Sequence, residues 1–263
     1  PPTSGQGSVF VKEAGLPARG GEPEGSGEAA NPAPGTNNSE TTSGTFTYTA
    51  SNGPVDITIN GTTIAVDDGV LTGTTTVTTP KGVLTITGIN TGTQTVSYSY
   101  TLTDNTSGDS TNDTFAIQVK DADGDTASGN LVINIVDDVP IARNDTDAIV
   151  NSDTSVTGNV ITGASEAGTG VADTVGADNA TVTGVTGLGV ENPDDNNALT
   201  ATGQFGTLVM LADGTYTYTR TAAAGETGSE VFTYTLTDGD SDARTATLTI
   251  GLDGGVTITL PPT

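Results

Sequence analysis

The segment DADGDTASGNLVINIVDDVPIARNDTD, residues Asp121–Asp147, determines how we divide and interpret this chain. It begins with three carboxylates, those of Asp121, Asp123 and Asp125, at alternate positions around Gly124. A tight turn can point all three inward, and calcium binds about six to eight oxygen ligands of this kind. The first part of the segment therefore predicts a calcium-binding turn.

The middle of the segment predicts a strand that ends a domain. Leu131–Val136 alternates apolar and polar residues with the period of a β-strand. Asp137 and Asp138 follow, and then comes Pro140, which cannot donate a hydrogen bond to a sheet. We therefore expect one domain to end here. The expected domains are residues 1–139 and 140–263.

More oxygen-bearing side chains lie beyond the proline, at Asn144, Asp145 and Asp147. Together with Asp137 and Asp138 they predict a hinge in which one cation, shared with the acidic turn, clamps two domains. The alternative is that these residues are solvated, because Asp, Asn and Gly are common in turns. That alternative suits any single Asp, but dense anions with few neighbouring cations would repel one another. The segment as a whole favours calcium.

The composition predicts an all-β protein. Hydrophobic residues make up 33% of the 263 residues and aromatic residues only 4%, whereas Thr and Gly are abundant. From Gly44 onward, apolar residues and Thr alternate with period two, and turn signals such as Asn60-Gly61 recur about every ten residues. This spacing is typical of β-sandwiches, and the length suits two of them in tandem.

The charge restricts the partners. Asp and Glu number 32 against 7 Lys and Arg, and the net charge is −25 without any His. Nucleic acid and anionic membranes are therefore poor partners. Bound divalent cations and adaptation to salt both explain the acidity, and the clustering in D-x-D turns favours cations. No stretch predicts a membrane span or a signal peptide, so the sequence resembles an excised internal fragment.

A short repeat links the two halves. The sequence YTLTD occurs at Tyr100–Asp104 and again at Tyr234–Asp238, which predicts two copies of one unit. On this alignment Asp104 corresponds to Asp238, and a second acidic turn surrounds Gly239. The repeat adds four candidate metal ligands, namely Asp104, Asp238, Asp240 and Asp242.

Residues 13–43 are rich in Gly, Pro, Glu and Ser and predict an irregular or mobile loop. Glu13 follows the apolar pair Phe10 and Val11, so it is a further candidate calcium ligand at the edge of the domain. A solvated surface Glu is the commoner alternative.

Longer motifs support a resemblance to a known family. VKEAGLPARGGEPEGSGE, GTFTYTA, SYTLTD, DADGDTASG and VDDVPIARND, within about residues 8–147, resemble a repeat of very large adhesins that Gram-negative bacteria export by type I secretion. These are called RTX or biofilm-associated adhesins. GNVITG, GADNATVTGV, FGTLVMLADGTYTYT and VFTYTLTDGD in the second half are similar to the cadherin-like or VCBS-type repeats of the same proteins.

The resemblance implies tandem immunoglobulin-like, Greek-key extender domains at the bacterial cell surface. Calcium would stiffen them, and they would hold a ligand-binding module away from the cell in adhesion and biofilm formation. The expected partners are neighbouring domains of the same adhesin, with the chain itself monomeric. The glycine-rich G-G-x-G-x-D nonapeptides of RTX proteins are absent from this sequence. By position, Asp121, Asp123 and Asp125 match the family's acidic turn, and Asp137, Asp138 and Asp145 match its inter-domain acids.

Catalysis is disfavoured, since a chain without His or Cys has no Ser–His or Cys–His nucleophile. Paired carboxylates could hydrolyse glycosides, but six Tyr, five Phe and no Trp provide few aromatic platforms. A second possible function is calcium-dependent binding of glycans or peptides through the loops Glu13–Gly44 or Glu191–Asn197. Ice binding by threonine arrays would require a regular short repeat, which the sequence lacks. A non-catalytic structural extender is the favoured function.

The pattern also predicts the two cores. Residues two apart in a strand share a face, so Tyr98 and Tyr100 should be co-facial. In the first core we expect Phe46, Tyr48, Tyr98, Tyr100, Phe115 and Ile133. In the second we expect Tyr216, Tyr218, Phe232, Tyr234 and Leu248.

Overall fold

The computed structural model describes residues 9–29, 37–51, 56–64, 66–67, 70–71, 75–150, 153–191, 198–223 and 225–253. The chain forms two compact units, the first unit Pro1–Asp138 and the second unit Val139–Thr263. Both are built almost entirely of β-strands, as the alternation of apolar residues and Thr predicts. Among the described residues, no helix has the length and hydropathy needed to cross a membrane.

The first unit is a sandwich of two main sheets. Its strands are β1 (Phe10–Lys12), β2 (Thr41–Thr47), β3 (Asp56–Ile59), β4 (Thr62–Thr63), β5 (Val66–Asp67), β6 (Val70–Leu71), β7 (Thr75–Thr78), β8 (Gly82–Asn90), β9 (Thr95–Leu102), β10 (Ser110–Lys120) and β11 (Thr126–Val136). One sheet has the order β1-β11-β10-β3-β4 and the other β2-β9-β8-β7, while β5 and β6 pair with each other. The chain passes from one sheet to the other and back, which gives the Greek-key crossing of a sandwich.

The second unit repeats this plan. Its strands are β12 (Asp145–Ile149), β13 (Ser155–Asn159), β14 (Ala164–Ser165), β15 (Thr181–Thr186), β16 (Gly189–Glu191), β17 (Leu199–Thr202), β18 (Gly206–Met210), β19 (Thr215–Arg220), β20 (Gly228–Thr237) and β21 (Ala243–Leu252). The sheet orders are β12-β21-β20-β15 and β14-β13-β19-β18-β17-β16. In each unit the opening strand runs parallel to the closing one, β1 beside β11 and β12 beside β21.

Every residue predicted for the two cores is buried, so that prediction is confirmed. Tyr98 and Tyr100 share the buried face of β9, and Tyr100 packs edge-on against Phe115 at 5.8 Å between ring centroids. The predicted turn at Asn60-Gly61 is also confirmed, because both residues have the positive φ that a type I′ hairpin needs, +48° and +79°. The last predicted strand, in residues 255–260, lies outside the described residues.

The alignment of the two copies through YTLTD is wrong. Tyr100 lies on β9, between β2 and β8, whereas Tyr234 lies on β20, between β21 and β15. The strand equivalent to β9 is β19, so Tyr100 corresponds to Tyr218. Y-T-L-T recurs because any strand that buries one face alternates bulky residues with Thr. The correspondence of Asp104 with Asp238 is therefore wrong too.

The expectation of an irregular loop at residues 13–43 needs correction for the part that the structure describes. A 3-10 turn spans Glu13–Gly15 and a short helix, α1, spans Ser26–Ala29. A Cβ atom on Gly25 or Gly27 would collide with the backbone of Ala14, so glycine lets these two segments pack closely together. Gly25 and Gly27 are therefore required for close packing rather than for mobility.

Candidate metal centres

The acidic turn of the first unit joins β10 to β11. The Asp121 N–H donates to the Asp125 carbonyl at 3.0 Å, and the Asp125 N–H donates to Asp121 Oδ1 at 3.0 Å. Gly124 has φ of +99°, a conformation that L side chains rarely adopt. One oxygen from each of Asp121, Asp123 and Asp125 lies within 4.8 Å of the others. The structure thus brings together all three ligands predicted for this turn.

The electrostatics of this turn suit a divalent cation. The pKa of Asp121 is raised, chiefly by a hydrogen bond with Asp123 and then by partial desolvation. Two carboxylates this close repel each other when both are ionised, and a bound cation would relieve that repulsion. All of the donors are hard oxygens, which calcium prefers. The residues therefore fit calcium.

The second unit contains an equivalent turn between β20 and β21. The Asp238 N–H donates to the Asp242 carbonyl at 3.1 Å, and the Asp242 N–H donates to Asp238 Oδ1 at 2.7 Å. Burial, followed by a hydrogen bond with Asp240, raises the pKa of Asp238 to about 7. Within the described residues, the three oxygens of this turn do not all come within 4.8 Å of one another. The true counterpart of Asp121 is therefore Asp238, in a turn of the same kind but looser.

The shared cation expected between the first acidic turn and Asp138 is excluded by the register of the first unit. β10 and β11 form one hairpin in which Lys120 faces Thr126 and Ser110 faces Val136. Each strand has 11 residues, so at a rise of about 3.3 Å per residue the turn lies roughly 33 Å from Asp138. The turn lies where β11 begins, at one end of the unit. Asp138 lies just after the last residue of β11, at the opposite end of the unit.

Other acids gather at that opposite end of the first unit. An oxygen of Asp137 lies within 4.8 Å of one from Glu13 and within the same distance of one from Asp109. Glu13 is fully buried, and its Oε1 accepts the N–H and the hydroxyl of Thr106, each at 2.7 Å. Asp137 and Glu13 were candidate ligands from the sequence, whereas Asp109 was missed because it stands in a Ser- and Gly-rich turn without a D-x-D pattern.

Asp138 and Asp104 have partners of their own. Asp138 accepts the N–H of Ser26 at 2.7 Å and also its hydroxyl, and so holds the N-terminus of α1. Asp104 Oδ1 accepts a hydrogen bond from the Arg19 Nε–H at 3.3 Å, and Arg19 also forms an ion pair with Glu22. These two candidates thus fix the segment before β2 to the body of the unit.

Beyond the boundary, Asp145 and Asp147 are both 3% exposed and serve as acceptors inside the second unit. Asp145 accepts the Val171 N–H at 2.7 Å, and Asp147 accepts the Ala167 N–H at 2.9 Å and the Tyr216 hydroxyl at 2.7 Å. Burial raises the pKa of Asp145. A cation would have to replace these donors, so the geometry favours a structural role.

Asn144 and Asp173 belong to the same arrangement. Asn144 Oδ1 accepts the Thr247 N–H at 3.0 Å. Asp173 accepts the Arg143 N–H at 2.6 Å and the Tyr234 hydroxyl at 2.9 Å, and burial raises its pKa to about 6. Asn144 is therefore also placed as an acceptor, in the body of the second unit rather than in an acidic turn.

Buried carboxylates paired with tyrosines were missed from the sequence. Tyr100 donates to Asp113 at 3.0 Å, and the equivalent Tyr218 donates to Glu230. Both acids stand two residues before a core phenylalanine, in D-T-F and E-V-F. An acid on the apolar face of an alternating strand was the available signal, because buried carboxylates need hydrogen-bond donors.

Comparison with known proteins was made by sequence and by structure. Residues 137–251 match the model of the family described as bacterial Ig domain. No curated protein matches the chain.

Three solved structures illustrate the structural likeness. The D00-D0 domain of intimin is 13% identical, with coverage of 95% of this chain and 98% of that one, at a TM-score of 0.28. The protocadherin fragment PcdhgB3 EC1-4 is 13% identical, with coverage of 96% and 50%, at 0.27. The endo-fucoidan hydrolase MfFcnA4 of glycoside hydrolase family 107 is 18% identical, with coverage of 77% and 27%, at 0.27.

The chain thus spans half of the protocadherin fragment and about a quarter of the hydrolase. Residues 137–251, which hold the described sheets of the second unit, are similar to bacterial Ig domains, and both units of the chain are all-β sandwiches.

Proposed function

We propose that this chain is a non-catalytic, calcium-stabilised extender region of a bacterial surface adhesin, exported as RTX adhesins are, that spaces a ligand-binding module from the cell. The observation that carries the proposal is the repeated acidic turn. Asp121 and Asp238 open turns with the same backbone hydrogen bonds, at the same place in two copies of one fold. A site that recurs with the fold suits a repeat whose role is structural.

The distribution of charge supports bound cations over salt adaptation. The outward positions of β9 include Ser97 and Ser99, and those of β20 include Thr233 and Thr235. A protein adapted to salt would place acids on such faces. Here the carboxylates concentrate in turns and at the ends of the units, where divalent cations can bridge them.

The test is a calcium titration of the whole chain by isothermal calorimetry, with magnesium as a comparison. Asp123→Asn with Asp125→Asn should remove one site, and Asp240→Asn with Asp242→Asn should remove another. Asp213→Asn is the matched control, because Asp213 is in a β-turn without neighbouring acids in the sequence and accepts the Thr215 N–H at 2.9 Å. Calcium heats that are the same in all four proteins would refute the assignment of these turns.

A further inference from the structure

The outer face of the sheet β1-β11-β10-β3-β4 combines an exposed aromatic ring with side-chain amides. Phe10 on the edge strand is 52% exposed. It pairs with Asn134 on β11, and Asn134 pairs with Asn112 on β10. Val132 and Val136, which flank Asn134 on the same face, are 40% and 42% exposed. A ring with apolar flanks therefore lies at one end of a row of amides.

The polar groups continue along the two central strands. Outward positions alternate along β10 and β11, so their side chains form one surface. Besides Asn112 and Asn134, this surface contains Thr114, Gln118, Ser128 and Asn130. Asn112 Oδ1 already accepts the Thr114 hydroxyl at 2.9 Å, and Asn134 Nδ2 donates to the Val9 carbonyl at 3.1 Å. Asn112 keeps its amide donors and Asn134 its acceptor, which suit the hydroxyl groups of a sugar.

This face lacks the acidity of a chain whose net charge is −25. Among the described charges at this face, Lys12 lies on the edge strand, Lys81 Nζ donates to the Asn112 carbonyl at 2.5 Å, and Lys120 lies opposite Asp56 at the far end. The outward positions of β10 from Asn112 to Gln118 and of β11 from Ser128 to Val136 carry no charged side chain, so the ring and the amides determine which ligand fits. An uncharged ligand suits it best.

The second unit provides an internal comparison. The row equivalent to Phe10, Asn134 and Asn112 consists of Ala148, Gly251 and Ser229. The aromatic ring and both amides are thus replaced by small side chains on the same sheet of the same fold. Strand pairing is retained without them, so folding alone does not require them.

We propose that the face around Phe10 binds an uncharged polysaccharide chain, with a sugar ring stacked on Phe10 and sugar hydroxyls bonded to Asn112 and Asn130. A second copy of the protein is a poorer occupant. The apolar part is one ring with Val132 and Val136, whereas a standard protein interface buries about 800 Å² on each side. The face is separate from the acidic turns, so this proposal and the calcium proposal can fail independently.

The test is a titration of the whole chain, kept in calcium, followed through its backbone and side-chain amide NMR signals. The probes are cellohexaose, mannohexaose, xylohexaose and maltohexaose, with an oligogalacturonate as the charged comparison. At least one neutral probe should shift the signals of Phe10, Asn112, Asn130 and Asn134, with a dissociation constant of about 1 mM. The charged probe should bind more weakly.

Variants then locate the binding. Phe10→Ala should weaken binding roughly 2- to 12-fold, the value of a good aromatic contact, and Phe10→Trp should retain or improve it. Val231→Ala removes an exposed side chain from the equivalent sheet of the second unit and should leave the dissociation constant of the probe unchanged. No shift with any neutral probe, shifts confined to other residues, or equal binding by Phe10→Ala would each overturn the proposal. So would self-association that Phe10→Ala abolishes, since the face would then be an interface between copies.

Discussion

Asp121 and Asp238 make the same pair of hydrogen bonds, each donating its N–H to a carbonyl four residues on and accepting that residue's N–H on Oδ1. The fourth position of the turn has positive φ in both units, +99° at Gly124 and +89° at Ser241. One turn is therefore used twice, with a residue suited to it in the first unit and a strained one in the second.

Exchange of these residues should change stability in opposite directions. Ser241→Gly relieves the positive φ and should raise the free energy of unfolding of the second unit by about 0.5–1 kcal/mol. Gly124→Ser should lower that of the first unit by about 1 kcal/mol. Urea denaturation of both variants measures the effects, and a destabilising Ser241→Gly would show that the serine side chain has another role.

The tyrosine–carboxylate pairs should contribute measurably to stability. Tyr100→Phe leaves the buried Asp113 without one of its donors and should cost about 1–3 kcal/mol. Tyr98→Phe on the same strand is the control, because the Tyr98 hydroxyl is buried and has no hydrogen-bond partner among the described residues. It should be neutral or stabilising. Equal losses of unfolding free energy from both variants in a denaturant titration would argue against a stabilising Tyr100–Asp113 hydrogen bond.

Close packing of glycine against these tyrosines gives a related prediction. A Cβ on Gly82 would collide with the Tyr100 hydroxyl, as one on Gly206 would with Tyr218. Gly82→Ala should therefore destabilise the first unit by about 1–3 kcal/mol through overpacking. Gly88→Ala in the same strand is the matched control, since the nearest neighbour of the added Cβ would be the Ser97 Cβ at 3.9 Å. Thermal melting of the two variants should separate them, and matching melts would contradict the packing.

Both the fold and part of the site follow from the sequence, for physical reasons. Period-two alternation identifies the buried face of each strand directly, which is why Tyr98, Tyr100 and the other core residues were correct. The D-x-D-G-D turn is local, so Asp121, Asp123 and Asp125 could be grouped by spacing alone. Strand register is not local, and the distance of that turn from Asp138 depends on the pairing of β10 with β11. The same limit hid the internal hydrogen-bond donor to Asp145, the Val171 N–H.

The pH dependence in a chelator should report on Asp238. Its pKa is raised to about 7 in the folded chain, chiefly by burial, so between about pH 4 and 7 the folded state binds more protons than the unfolded one. Stability should therefore fall as pH rises through this interval. Asp238→Asn should flatten the slope. The pKa of Asp173, raised to about 6 by burial, adds a slope of the same sign that Asp173→Asn removes separately.

Calcium should reverse that dependence. A cation favours the ionised carboxylate, so in calcium the second unit should gain stability as pH rises from about 4 to 7. Melting curves of the Asp173→Asn variant at several pH values, with and without calcium, give the comparison, because the slope from Asp173 is then removed. A slope of the same sign in both buffers would count against a cation at Asp238 and Asp240.

The central claim is tested most directly by the melting temperature of the whole chain in millimolar calcium against excess chelator, at equal ionic strength. A native-only site at a hundredfold excess over its dissociation constant adds about 2.7 kcal/mol, and several sites together rival the stability of one domain. We predict that calcium raises the melting temperature by many degrees and that sodium chloride of the same ionic strength does not. An unchanged melt in chelator, or an equal rise with sodium chloride, would contradict calcium stabilisation and favour adaptation to salt.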